Sequence, residues 1–385
     1  MEQSGEGLTV VRAGIIGGGM IAAAHASAIR AAGHELAGVA GRTEESARRA
    51  ADSLRTVAQV SPEHLIGDPS IDVVHICSPN SSHFDYAMLA IAAGKAIVCE
   101  KPLGVDDAEA RQLRDAATKA GVPTAVPFVY RFYPSVREMQ MRVAQDSSLL
   151  IRASYLQDWL SDAATTNWRV SASEGGFSRA FADIGVHVCD LIEFVTGERI
   201  SRLTARTFRS FAERASSAVT TEDGATLMFD TETGTPGTVT ISQVSQGNKN
   251  RLEIAVDSVG GSYQFNQEDP DKLVVGGVSG WTTVLRSSDN FRSEEAKRLS
   301  LLPAGHPQGY QQAFDSFIDD AYANFFRGAT QSVPTFDDGY RAAILTAAVL
   351  ESHESQSWVT VADLGGESLG HLDSSHPSSS SSLSA

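Results

Sequence analysis

The sequence predicts a doubly wound α/β domain with a parallel sheet, followed by an α+β domain with a large, open and mostly antiparallel sheet. Between residues 10 and 126, short apolar strands alternate with helical stretches, which is typical of a parallel sheet covered on both faces. Glycines follow several of these helices, as expected for C-caps. Beyond residue 127, strands succeed one another without intervening helices.

The first domain is expected at residues 10–127, after a frayed segment at residues 1–9. Continuous apolar runs predict its strands at 10–16, 35–40, 72–77 and 96–99. Helical patterns, three of them ended by Gly33, Gly94 and Gly121, are predicted at 20–32, 44–53, 82–93 and 107–120.

The second domain is expected at residues 128–362. Its helices are predicted at 134–144, 183–196, 310–326 and 339–353, and strands among others at 225–229, 237–243, 251–256 and 261–265. The Ser-rich segment 363–385 has few large apolar groups. Because it buries too little surface to offset its ordering entropy, we expect it to be disordered.

Composition excludes several function classes. Acidic residues outnumber basic ones 47 to 31, giving a net charge of −16, so a nucleic-acid or anionic-membrane surface is not expected. The sequence shows neither an apolar run long enough to span a bilayer nor a signal peptide. Three cysteines in apolar settings indicate buried thiols in a reducing compartment, and hence a cytoplasmic protein.

A glycine-rich loop directly follows the first strand. Gly17, Gly19 and Ala22 form G-x-G-x-x-A at the start of a helix, the position that a dinucleotide fingerprint requires. Gly17 permits the turn, Gly19 leaves room for a pyrophosphate, and Met20 and Ile21 begin the helix whose N-terminus attracts the phosphates. A purely structural turn is the alternative interpretation.

The second strand ends in Gly41-Arg42-Thr43, without the acid that usually accepts the ribose 2′-hydroxyl of NAD. Arg42 could pair with a 2′-phosphate, which favours NADP over NAD. Glu44 and Glu45 lie close enough to keep NAD open, and an arginine here could also stack on adenine.

Three further motifs, together with the glycine loop, resemble the glucose-fructose oxidoreductase, inositol 2-dehydrogenase and rhizopine-catabolism family (Gfo/Idh/MocA). They are "SPNSSH" at 78–83, "EKP" at 100–102 and "DIGVH" at 183–187. The stretches "YLQDWL", "NWR" and "LPAGHPQGY" are similar to sugar dehydrogenases of the levoglucosan dehydrogenase type. The resemblance implies hydride transfer between a nicotinamide and a secondary carbon of a sugar, anhydrosugar or cyclic polyol.

The same resemblance implies a catalytic triad of Lys101, Asp183 and His187. Lys101 follows the carboxyl end of a parallel strand, where ligands bind in such sheets, and Pro102 restricts its backbone. His187 is the proposed base in oxidation, with Lys101 polarising the hydroxyl and Asp183 holding substrate, although Lys101 and His187 could exchange roles. The structural alternatives are a surface ion pair, a helix cap at Asp183 and a buried imidazole.

Further binding residues are expected around this triad. Those assigned to the cofactor, besides the glycine loop and Arg42, are Ser78, Asn80, His83 and Glu100, with His83 as a helix cap in the alternative reading. Those assigned to the substrate are Tyr130, Gln157, Asp158, Trp168, Arg169 and His306, and Arg131 is expected beside Tyr130 in the cleft. No metal is expected, because Asp183 and His187 lack further ligands at suitable spacing.

Two other functions are consistent with the same sequence. The first is a non-enzymatic regulator that senses a dinucleotide or sugar on the same fold. The second is an epimerase or glycoside-cleaving enzyme that oxidises and reduces its substrate within one cycle. By analogy, the sheet of the second domain is expected to pair two or four copies of the chain, since an apolar sheet face open to water favours association.

Overall fold

The computed structural model describes residues 10–165, 167–215 and 217–365. The predictions of a frayed segment at 1–9 and of disorder at 366–385 lie outside these residues. Within them, no helix combines the length and apolar character needed to cross a membrane.

The N-terminal part contains a five-stranded parallel sheet in the order β2-β1-β3-β4-β5, which confirms the predicted fold class. Its strands are β1 Arg12–Ile16, β2 Glu35–Ala40, β3 Val73–Ile76, β4 Ala96–Cys99 and β5 Thr124–Ala125. Because the strand order reverses between β1 and β3, a ligand crevice is expected at the carboxyl ends of these two strands.

Helices cover both faces of this sheet. They are α1 Met20–Ala31, α2 Glu44–Leu54, α3 Pro62–Gly67, α4 His83–Ala92 and α5 Asp107–Ala120, with a 3₁₀ turn at Asn80–Ser82. Helix α3 was not predicted from the sequence, although Ser61 caps it and Pro62 occupies its first turn. Gly121 ends α5 in the left-handed conformation, as predicted.

The remaining strands build a nine-stranded sheet in the order β15-β14-β13-β12-β6-β11-β10-β7-β16. Only the β6–β11 pair is parallel. Its members are β6 Ser148–Leu156, β7 Ile200–Phe208, β10 Gly224–Thr231, β11 Pro236–Ser242, β12 Arg251–Ser258, β13 Gly261–Asn266, β14 Lys272–Gly277, β15 Gly280–Leu285 and β16 Val359–Thr360. A short hairpin, β8 Glu213–Arg214 and β9 Ser217–Ala218, stands apart.

One face of this sheet is apolar and covered. In β12, Leu252, Ile254 and Val256 are buried and alternate with more exposed residues. The helical segments of this part are α6 Pro134–Val143, α7 Ala172–Gly175, α8 Val186–Thr196, α9 Glu294–Arg298, α10 Tyr310–Phe326 and α11 Phe336–Ser355, with 3₁₀ turns at Val129–Phe132 and Trp168–Val170 and a π-helical turn at Phe181–Gly185.

Two helices from the end of the chain return to the first sheet. Helix α10 packs along α1, and α11 packs on α5. Gln311 of α10 donates a hydrogen bond to the backbone oxygen of Ala24, 3.2 Å away. The two halves therefore meet along an extended surface, and the carboxyl ends of the parallel strands face residues from both.

Candidate active site

The turn after β4 carries the first candidate catalytic residue. Lys101 is joined to Pro102 by a cis peptide bond, and its ammonium donates to the Oδ1 atom of Asp183 at 2.9 Å and to the Asp183 backbone oxygen at 2.8 Å. The two side chains are only 12% and 19% exposed. The structure therefore joins two of the three predicted catalytic residues in a mostly buried ion pair.

Asp183 lies inside a π-helical turn that runs directly into α8. A Cβ atom at Gly185 would come within 2.4 Å of the Phe181 ring, so glycine is needed for this packing. Such turns are common at functional sites because they redirect side chains. The capping alternative for Asp183 is wrong: the turn is flanked by Ala180, and the carboxylate of Asp183 accepts from side chains elsewhere.

The Asp183 carboxylate is held as an anion. Its Oδ2 atom accepts from the Gln243 amide at 2.8 Å, and the Arg169 guanidinium lies 3.6 Å from Oδ1. Burial alone would raise the pKa of Asp183, but the positive charges of Lys101 and Arg169 lower it to about 2. The site thus has one fixed negative charge at neutral pH.

His187 follows one helical turn after Asp183. Its ring stands edge-on to Phe128 and Tyr130, with centroids 5.6 and 5.1 Å away. Burial, with the nearby Lys101 charge, holds the pKa of His187 well below its ordinary value. Its Nδ1 atom is buried and has no hydrogen-bond partner among residues 10–165, 167–215 and 217–365. The imidazole is therefore neutral and able to accept a proton.

The glycine loop has the shape that a pyrophosphate needs. Gly17 has φ +102°, and a Cβ atom there would lie 2.6 Å from the Cys77 carbonyl oxygen. A Cβ atom at Gly19 would meet open space. Gly19 also flanks the start of α1 without any side-chain cap, so the first N–H groups of the helix stay available to an anion, and the loop fits the expected dinucleotide. Met20 is exposed and Ile21 half-buried.

Arg42 is exposed at the end of β2. The acids that kept an NAD assignment open are bound within their own helix, since Glu44 pairs with Arg48 at 2.5 Å and Glu45 pairs with Arg49. Arg42 is thus an exposed cation two residues after β2, the strand that pairs with β1.

The SPNSSH turn is tied to the EKP turn and to the loop before Asp183. Asn80 donates to the Gly175 backbone oxygen at 2.9 Å, and Ser78 accepts from Ser82 at 2.7 Å. The two ring nitrogens of His83 lie 2.7 Å from the Pro102 oxygen and 2.8 Å from the Ser78 oxygen. His83 is therefore a bridge between the two turns, and its ring does not cap the helix.

Glu100 points inward from the EKP turn. Its Oε1 atom lies 3.1 Å from Nε2 of His25, and its Oε2 atom accepts from the Lys101 backbone N–H at 3.2 Å. With 8% exposure, this carboxylate is buried in the protein.

Tyr130 and Gln157 belong to a polar cluster that the sequence analysis did not foresee. The hydroxyls of Tyr130 and Tyr155 are 2.6 Å apart, and Tyr155 donates to Asn250 at 2.6 Å. The Asn250 amide N–H donates a hydrogen bond to the Tyr130 hydroxyl at 3.3 Å, and the Gln157 amide donates to the Asn250 oxygen at 2.8 Å. Because the ring of Tyr130 also contacts His187, this cluster borders the candidate catalytic group.

The other predicted substrate residues have separate positions. Arg169 stacks on Trp168, with 4.5 Å between its guanidinium carbon and the ring centroid, and it also faces Asp183. Asp158 is instead bound by Lys249 at 2.6 Å, and His306 lies on an exposed turn. The contacts described for these last two residues do not join them to the Lys101–Asp183 pair.

The chain is similar in sequence to known oxidoreductases. An oxidoreductase family with an NAD-binding Rossmann fold, GFO/IDH/MocA, matches residues 11–128, and the C-terminal domain of GFO/IDH/MocA proteins matches residues 147–259. Levoglucosan dehydrogenase of Pseudarthrobacter phenanthrenivorans is 29% identical over 325 residues, covering 77% of this chain and 82% of that protein. D-xylose 1-dehydrogenase (NADP(+)) 2 of Haloferax volcanii is 28% identical, covering 55% and 66% respectively.

Solved structures agree with this result. A levoglucosan dehydrogenase in complex with NADH and levoglucosan is 30% identical, with a TM-score of 0.85 over 91% of this chain and 99% of that one. An oxidoreductase domain protein from Kribbella flavida is also 30% identical, with a TM-score of 0.86 over 92% and 100%. The chain therefore belongs to the GFO/IDH/MocA family of oxidoreductases, which acts on CH–OH groups and has an NAD-binding Rossmann domain.

Proposed function

We propose that this protein interconverts a secondary hydroxyl and a ketone on a sugar, anhydrosugar or cyclic polyol, using NAD or NADP. The observation that supports this most directly is the ion pair of Lys101 with Asp183 beside the neutral imidazole of His187. Relatives named as levoglucosan dehydrogenase, 1,5-anhydro-D-fructose reductase and D-xylose 1-dehydrogenase support a carbohydrate substrate.

The glycine loop, Arg42 and the SPNSSH and EKP turns would hold the dinucleotide. When bound, the cofactor supplies a hydride acceptor for oxidation, or a hydride donor for reduction, at its nicotinamide ring. The protein itself must then manage the proton of the substrate hydroxyl and the orientation of the reacting carbon.

Lys101 is suited to orient the hydroxyl. An ammonium has three N–H donors, and two of those of Lys101 are directed at Asp183. The third remains for the substrate oxygen. A paired ammonium has no lone pair to receive a proton, whereas neutral His187 has one, so we assign proton acceptance to His187 and polarisation of the hydroxyl to Lys101.

Arg42 supports a preference for NADP. Arg42 is exposed two residues after β2, the strand that pairs with β1, and the neighbouring acids Glu44 and Glu45 face Arg48 and Arg49 of their own helix. A 2′-phosphate would pair with such a group. The KM values of NAD and NADP, measured for the wild type and Arg42→Ala, test this: the substitution should weaken NADP alone, and equal losses for both cofactors would contradict the assignment.

The proposed activity is tested by screening levoglucosan, inositols, glucose and xylose with each cofactor. Formation of reduced nicotinamide, followed by its near-ultraviolet absorbance, is the expected result. Tight cofactor binding with no absorbance change and no product would contradict the proposal and favour a sensor. Product formed without any net absorbance change would instead indicate a redox cycle within one turnover.

We also propose a homodimer or homotetramer formed through the outer face of the nine-stranded sheet. This face is mixed: Arg152, Glu253 and Thr238 are polar, contrary to the apolar face expected from the sequence, and Met228 and Trp281 supply the exposed apolar surface that supports association. Size-exclusion chromatography with light scattering tests the oligomeric state.

The three free, buried cysteines support a reducing compartment such as the cytoplasm.

A further inference from the structure

Behind the EKP turn, four buried groups form what we call the polar row: Tyr322, His75, His25 and Glu100. The Tyr322 hydroxyl lies 2.6 Å from Nε2 of His75, and the two Nδ1 atoms of His75 and His25 are 2.7 Å apart. Nε2 of His25 is 3.1 Å from Oε1 of Glu100. Both imidazoles are fully buried, and Tyr322 is 1% exposed.

The chemistry of the end groups sets the direction of these hydrogen bonds. Burial would raise the pKa of Glu100, but the hydrogen bond from His25 and the neighbouring positive charge of Lys101 keep it below its ordinary value, so the carboxylate is an acceptor. Nε2 of His25 must therefore donate to it. A neutral His25 then accepts at Nδ1, His75 donates from Nδ1, and Nε2 of His75 accepts from the Tyr322 hydroxyl.

The opposite arrangement leaves a buried donor without a partner. If His25 were protonated on both nitrogens, His75 would accept at Nδ1 and donate from Nε2 to Tyr322. The hydroxyl hydrogen of Tyr322 would then need another acceptor, and the part of the chain that the structure describes shows Tyr322 bonded only to His75. An unsatisfied buried hydroxyl is costly, so the neutral arrangement is favoured.

We infer that the hydrogen bonds of the polar row all run in one direction, from Tyr322 to Glu100. The N–H of His25 that Glu100 accepts thereby holds the turn that carries Lys101 in position. The other carboxylate oxygen of Glu100 accepts the Lys101 backbone N–H at 3.2 Å. Each member of the row thereby helps to restrain the backbone of Lys101, whose side chain carries the ammonium. The consequence for catalysis rests on the proposed function, in which Lys101 contacts the substrate oxygen.

The row does not suit proton release to solvent. Its far end, Tyr322, is buried, and burial raises the pKa of this hydroxyl well above its ordinary value. A chain of hydrogen bonds that transferred protons to solvent would need an end group that is exposed or readily ionised. Instead, Tyr322 belongs to α10, so the row links a helix from the end of the chain through β3 and α1 to the turn after β4.

The tautomers of the two histidines test the direction without any turnover. Nitrogen NMR of selectively labelled histidines in the full chain should show His25 as the Nε2–H form and His75 as the Nδ1–H form. The second assignment is informative because free histidine favours Nε2–H. A doubly protonated His25 with Nε2–H on His75 would overturn the inference.

Three substitutions test positioning. Tyr322→Phe removes the terminal donor, His75→Leu interrupts the row, and His75→Asn keeps a donor near the Nδ1 position. We expect kcat to fall about tenfold in Tyr322→Phe and about 100-fold in His75→Leu, with partial recovery in His75→Asn. The Kd of the cofactor should change much less than kcat in all three, because the glycine loop and Arg42 lie outside the row.

Tyr340→Phe is the matched control, because Tyr340 is a buried tyrosine of α11 outside the row. It should leave kcat unchanged. Exchange of the Lys101 backbone amide hydrogen should accelerate in Tyr322→Phe and not in the control. If the wild type transferred no hydride to any sugar, the proposed function would fail, while the tautomers and the Lys101 amide would still decide the role of the row. Unchanged exchange of the Lys101 amide hydrogen in Tyr322→Phe would refute it.

Discussion

Lys101 and Asp183 are 82 positions apart in sequence, yet the ammonium of one donates to both the carboxylate and the backbone oxygen of the other, at 2.9 and 2.8 Å. The two contacts constrain different atoms of Asp183, so the ammonium has a defined place relative to the helix that carries His187. A lysine held in this way can present its remaining N–H to one point in the crevice.

Replacing Lys101 by alanine should lower kcat by about 10²- to 10⁴-fold, because the hydroxyl loses its hydrogen-bond donor and Asp183 its buried partner. Cofactor Kd, measured by fluorescence titration, should change little. Lys272→Ala is the control, since Lys272 forms only a half-exposed ion pair with Asp269. Equal kcat values in Lys101→Ala and wild type would remove Lys101 from the site.

The lowered pKa of His187 predicts the pH dependence of oxidation. In the folded protein its pKa lies well below the ordinary 6.5, so the proton-accepting form is already complete at neutral pH. The acidic limb of kcat/KM against pH should therefore lie below 6.5 and should disappear in His187→Gln together with most of the activity. A limb centred above 6.5 would contradict His187 as the base.

The same shift has a consequence for stability. The unfolded chain binds a proton at His187 near pH 6.5, and the folded chain does so only at lower pH. The unfolded state thus binds more protons as pH falls below 6.5, and the free energy of unfolding decreases there.

Asp183 has a pKa of about 2 in the folded protein against an ordinary 3.8, so the free energy of unfolding decreases further as the pH falls between these two values. Urea denaturation of Asp183→Asn between pH 5 and pH 2 should show a weaker pH dependence than wild type.

Asn250 is predicted to act on sugar binding. It closes the hydrogen-bonded cluster of Tyr130, Tyr155 and Gln157, and Tyr130 contacts the His187 ring. Asn250→Ala leaves several buried polar groups unpaired, so the KM for the sugar should rise by about tenfold or more, with a smaller change in cofactor Kd. Asn266→Ala, on the neighbouring strand β13, is the control. A raised KM in both variants would point to a general disturbance of the sheet.

The sequence was informative wherever function depends on residues close together in the chain. The glycine loop, the EKP turn and the Asp183–His187 spacing are each local patterns, and the structure brings all three to one edge of the parallel sheet. Asn250, Tyr155 and Gln243 have no such local signal. They reach the site because β6, β11 and β12 are neighbours in the nine-stranded sheet, and that pairing is not readable from strand patterns alone.

Two local interpretations failed for physical reasons. Arg131, expected in the cleft, is drawn away by Asp190 and by Asp338, the latter at 2.7 Å, because a buried guanidinium requires paired charges. Asp183 was open to interpretation as a cap because helices commonly begin at aspartate. Asp183 instead lies inside the π-helical turn Phe181–Gly185, so the helical segment already begins two residues before it.

The glycine loop offers a prediction that separates folding from cofactor binding. Gly17 has a positive φ, and a Cβ there would lie 2.6 Å from the Cys77 oxygen, so Gly17→Ala should lower the melting temperature even without cofactor. A Cβ at Gly19 would meet only open space. Gly19→Ala should therefore melt like wild type in the absence of cofactor.

With cofactor added, Gly19→Ala should also differ from wild type. The methyl group of Gly19→Ala would occupy space kept free at the start of α1, so the dinucleotide should bind about tenfold or more weakly and raise the melting temperature less than in wild type. Calorimetry with and without NAD and NADP measures both effects. If Gly19→Ala bound both cofactors as tightly as wild type, the open space above Gly19 would not be where the pyrophosphate lies, and the loop would have to be read as a structural turn.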